Sequence, residues 1–88
     1  MSMWRATKNG WNYSAQLTGI KLQVWRDEGS QATAGGKLLT VRQILEKPDR
    51  QDYLKNIFDD TTFNEIMFAL QTAQDVFESR HPKTYGNK

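Results

Sequence analysis

The chain has 88 residues, 38% of them apolar, no cysteine and a net charge of +2. That is enough for one domain with a modest core, and it excludes disulfides, thiolate metal sites, iron–sulfur ligation and cysteine nucleophiles. No apolar run is long enough to span a membrane, and the N-terminal MSMWRATKNGW lacks the apolar segment of a secretory signal, so a cytoplasmic location is expected.

The first half of the chain is predicted to be strand. Asn9-Gly10 is its strongest local signal, because a type I′ turn needs positive φ at both central residues. That turn pairs Lys8 with Trp11, Ala6 with Tyr13 and Trp4 with Ala15, and cross-strand partners share a face. Trp4, Ala6, Trp11, Tyr13, Ala15 and Leu17 then form one apolar face, while Arg5, Thr7, Asn12, Ser14 and Gln16 point the other way. A second two-residue turn at Thr18-Gly19 would pair Leu17 with Ile20, Ala15 with Leu22 and Tyr13 with Val24. It keeps the apolar residues of the third strand on the same face. Trp25 falls on the polar face, opposite Asn12 and in company with Arg5 and Lys21.

The stretch 27–37 is small, polar and glycine-rich, and reads as a flexible loop. Helical signals follow over 40–80. Thr40 and Gln43 have capping-box spacing ahead of Val41, Ile44 and Leu45. Lys47-Pro48 ends that segment. Asp49 is placed to cap the next one, whose stripe is Tyr53, Leu54, Ile57 and Phe58. Thr62 and Glu65 form a second box opening a long helix over about 63–80, with Phe63, Ile66, Met67, Leu70, Ala73 and Phe77 on one side. Phe68 and Val76 lie off that stripe. Residues 81–88 are expected to fray.

The expected fold is therefore α+β: a three-stranded antiparallel meander, order 1-2-3, followed by two or three helices packed on one face. All of residues 1–88 fall in a single domain, with the meander over 2–26. Its core combines Trp4, Trp11, Tyr13, Ala15, Leu17, Ile20, Leu22 and Val24 with Val41, Ile44, Leu45, Leu54, Phe58, Phe63, Ile66, Met67, Leu70 and Phe77.

Catalytic and cofactor motifs are sparse. His81, the one histidine, stands beside Pro82 at a helix end with no nucleophile or orienting partner spaced to serve it. Asp59-Asp60 lacks the further oxygen ligands of a calcium loop, and helix capping accounts for it. Gly35-Gly36-Lys37 fails the phosphate-loop pattern, with Gln31 where the first glycine belongs and Leu38 after the lysine. Neither an enzyme nor a cofactor or metal is expected.

What remains is a set of side chains suited to a partner: Arg5, Lys21, Trp25, Arg26 and the stray Phe68. Tryptophan flanked by arginine is typical of interface anchors. The expected function is a non-enzymatic protein-interaction module, a small adaptor or an inhibitor of a larger protein. It would bind through the polar face around Trp25 or through an open sheet edge. A small accessory protein of a phage or mobile element would have this profile, as would many others. Strands one and three would both be open edges, so a homodimer through the edges is a further expectation. The alternative is a nucleic-acid binder using Arg5, Lys21, Trp25 and Arg26, with Lys37 and Arg42 in support. Residues 1–42 carry +4 and residues 43–88 carry −2, an asymmetry much weaker than that of a dedicated nucleic-acid protein.

Overall fold

The computed structural model describes residues 2–28, 31–32 and 36–80. The expected tail over 81–88, with His81, lies outside the described residues. The architecture is α+β, an antiparallel sheet followed by helices.

The first hairpin joins β1 (Ser2–Lys8) to β2 (Trp11–Thr18) in the expected register, Lys8 opposite Trp11 and Trp4 opposite Ala15. Asn9 and Gly10 have φ of 52° and 81°, the positive pair that defines the type I′ turn. The second hairpin, to β3 (Lys21–Glu28), differs. Its turn is Gly19-Ile20, one residue later than expected, so Thr18 pairs with Lys21, Leu17 with Leu22 and Ala15 with Val24. Gly19 supplies the positive φ, 60°, that a type II′ turn needs at its first central position. The pairing sum changes by two, so no side chain changes face. Trp25 still lies on the polar face, now opposite Ser14.

The larger correction concerns strand number. The stretch expected as a loop contributes to the sheet: β3 extends through Glu28, Gln31–Ala32 forms β4, and Lys37–Thr40 forms β5. Both β4 and β5 pair with β3, giving a five-stranded sheet. Strand three is therefore not an open edge. Val24 pairs with Lys37 and Leu22 with Leu39, contacts between residues distant in sequence with no turn dipeptide to announce them. Gly36 marks the close approach. A Cβ added there would sit 2.8 Å from Trp25 Cβ and still nearer the Val24 carbonyl oxygen. Gly36→Ala is expected to part β5 from β3 at a cost of about 1–3 kcal/mol, read as a lower denaturant midpoint. An unchanged midpoint would contradict this packing.

Three helices cover the apolar face. Thr40 caps α1 (Val41–Glu46) with the expected reciprocal box to Gln43. The backbone N–H of Val41 donates to the Ile20 carbonyl, tying α1 to the second turn. In α2 (Pro48–Ile57) Pro48 opens the helix, and Asp49 sits inside the first turn rather than capping it. Proline is suited to that place because its missing N–H would be unpaired there anyway. Gln51 reaches back to the α1 carbonyls of Ile44 and Leu45. The long helix α3 (Asp60–Arg80) starts three residues earlier than expected because Asp59, not Thr62, is its cap. The Thr62 N–H donates to Asp59 Oδ1 at 2.8 Å.

The core gathers Ala15, Leu17, Leu22, Val24 and Leu39 from the sheet with Val41, Ile44, Leu54, Ile57, Phe58, Phe63, Ile66 and Leu70 from the helical part. Leu39 and Ile57 join it unforeseen. Trp11 leaves it, half-buried at the hairpin end of the sheet with the Arg26 guanidinium 3.9 Å from its ring centre. Phe77 is half-buried too. It lines an apolar groove of about 460 Å³ with Ile20, Ala73 and Val76, between the second turn and the end of α3.

Candidate interaction surface

Alternation along each strand sends every second side chain away from the helices. On that open side the pairing builds two adjacent rows. One is Arg5, Ser14 and Trp25; the other is Met3, Gln16, Gln23 and Leu38. No helix covers these rows, yet Ser14 is only 5% exposed. It stands between its cross-strand neighbours Arg5 and Trp25, and Trp25 is half-buried. In the next row Met3 is 43% and Leu38 61% exposed. Beside them is a concavity of about 580 Å³ lined by Arg5, Thr7, Asn12 and Ser14, where Thr7 Oγ1 donates to Asn12 Oδ1 at 3.0 Å.

The five side chains singled out by sequence do not form one site. Arg5, Lys21 and Trp25 share the open face. Lys21 stands four residues along β3 from Trp25, roughly 13 Å at strand rise. Arg26 is on the opposite, helix-facing side, because it pairs with Tyr13 and stacks on Trp11. Phe68 is 76% exposed. At 100° per residue it points about 150° away from the buried stripe of α3, so the helical layer separates it from the sheet's open side. Its helical neighbours Asn64, Glu65, Gln71, Thr72 and Asp75 are polar and exposed.

The other cations of the nucleic-acid reading are scattered as well. Lys37 lies on the helix side, 4.4 Å from the Tyr53 ring centre, and Arg42 pairs with Glu46 on α1 at 3.2 Å. Arg26, Lys37, Tyr13 and Tyr53 border a smaller cavity of about 270 Å³, and Trp25 also contributes to its lining. Burial there, and secondarily the nearby Tyr13, pushes the Tyr53 phenol above its usual range. Sequence reasoning missed Leu38 as a surface group. Strand pairing sends Leu38 to the open side and Leu39 to the core.

Among the described residues, no three His, Cys, Asp or Glu come together as a metal-binding group, and no helix is long and apolar enough to cross a membrane. Asp59 is accounted for by capping: hydrogen bonds from the Thr62 backbone, then from its side chain, hold its carboxyl below the usual range. A folded-state pKa below the unfolded value, near 3.9, means the cap stabilises fully above that value and is lost as pH falls through the folded one. Acid titration of Asp59→Asn should therefore show a flatter stability curve below about pH 4 than the parent. Parallel curves would remove this role. Searches against models of known families, curated proteins and solved structures find no match.

Proposed function

We propose that the chain is a non-enzymatic protein-interaction module that docks a partner protein on the open side of its sheet, with Trp25 as the anchor. The observation that carries this reading is the Trp25–Ser14–Arg5 row beside exposed Met3 and Leu38, on a sheet side that no helix covers. A large aromatic, an arginine and two apolar side chains in a polar surround are the composition of an interface centre. Arg5 and Lys21 flank this patch on the same side, so the matching surface proposed for the partner is apolar with an acidic rim. A small adaptor or inhibitor fits such a single-surface design.

The engagement of Arg26 on the Trp11 ring, Lys37 on the Tyr53 ring and Arg42 with Glu46 favours a protein over a nucleic acid, since a phosphate backbone is best tracked by free cations on one continuous surface. Affinity capture with the intact chain, run with and without nuclease, tests the reading. A protein partner recovered equally in both arms and lost with Trp25→Ala supports it. Recovery that vanishes on nuclease treatment, or that Trp25→Ala leaves unchanged, overturns it.

A further inference from the structure

The outer edge of β1 carries a feature that the docking of a folded partner around Trp25 does not use. Among the described residues β1 pairs only with β2. In a two-residue hairpin the pair flanking the turn exchanges both backbone hydrogen bonds, and bonded pairs then alternate. Lys8, Ala6, Trp4 and Ser2 thus spend their backbone groups on β2. Met3, Arg5 and Thr7 turn N–H and C=O outward, a template for another strand.

That edge borders a cleft of about 380 Å³. Four consecutive residues, Arg5 to Lys8, line one wall, and the end of α2 with the start of α3 lines the other. None of the residues lining it belongs to β2, the strand on the other flank of β1, so the cleft lies on the outer side of β1. Its charge is one-sided. Arg5, Lys8 and Lys55 line it, and the only carboxylate in the lining is Asp59, already occupied in capping α3. Lys8 is held in place by donating to the Asn56 carbonyl in the last turn of α2, where a cation also suits the helix dipole.

We propose that this cleft receives an extended acidic peptide segment, which adds to the sheet as a strand antiparallel or parallel to β1. Backbone pairing to Met3, Arg5 and Thr7 supplies the register, and carboxylates at alternate positions share one side, the side of Lys55. A second copy of β1 is the poorer occupant. Each β1 carries Arg5 and Lys8 with no acid, so self-pairing joins four cations and no carboxylate.

The test uses the intact chain and a capped octapeptide alternating glutamate with valine, followed by amide chemical shifts. A lysine–valine octapeptide and a glutamate–valine octapeptide N-methylated on alternate residues serve as controls. Binding of the first peptide alone is expected, with the largest shifts at Met3, Arg5 and Thr7. Lys55→Gln should weaken it by about fivefold, the upper range for an exposed ion pair, and Trp25→Ala should leave it unchanged. That last arm separates this cleft from the proposed docking of a folded partner on the open side. Equal binding of the three peptides overturns the proposal. So do shifts centred away from β1, no binding at millimolar peptide, or a β1-linked dimer that excludes the peptide.

Discussion

Trp25→Ala is expected to lower affinity for the proposed partner by roughly thirtyfold or more, the effect of losing about 2 kcal/mol at an interface anchor. The fold should survive it. Trp25 is outside the buried core cluster, and its intramolecular contribution is a cross-strand pairing over Ser14, worth about 0.2–1 kcal/mol. The two numbers make the experiment decisive: binding should fall by more than stability does. Trp25→Phe should keep part of the affinity, because an aromatic face remains. Isothermal titration with the captured partner and a thermal melt of the same sample measure both quantities. A loss of stability as large as the loss of binding would reassign Trp25 to the scaffold.

Ile66→Ala should have the largest effect on stability, about 2–5 kcal/mol. Ile66 has no exposed surface and shares one cluster with Val41, Ile44, Leu54 and Leu70. It lies mid-helix in α3, which packs on both α1 and α2. Three elements frame the cavity that alanine would leave, so collapse into it is hindered. For a chain of this length the loss corresponds to a fall in Tm of at least about 8 °C, at 4–8 °C per kcal/mol. Phe68→Ala, about 160° around the helix from Ile66 and 76% exposed, is the matched control and should change Tm little. A small shift for Ile66→Ala would mean that α3 is not held by this stripe.

Much of the candidate surface can be read from local sequence. Asn9-Gly10 imposes positive φ at two adjacent residues, and that alone sets the β1–β2 register. Period-two alternation then assigns faces, and it survives the one-residue error in the second turn because the pairing sum moved by an even number. Trp25 thus stands on the open side in both the expected and the observed register. The same holds for the capping box at Thr40 and the apolar stripe of α3, whose signals lie within a turn or two of helix.

Other features required the folded chain. The pairing of β5 with β3 joins Val24 to Lys37 across a polar, glycine-rich stretch, and four residues, Lys37 to Thr40, are too few for periodicity to reveal a strand. That pairing covers the outer side of β3 and puts Leu38 on the open side. It also brings Lys37 to the cavity that Arg26 borders. Local conformation is governed by φ, ψ and side-chain periodicity over a few residues, which sequence displays directly. Which strands meet, and which cations share a surface, depends on burial and pairing between distant segments, and no short stretch of the chain carries that information.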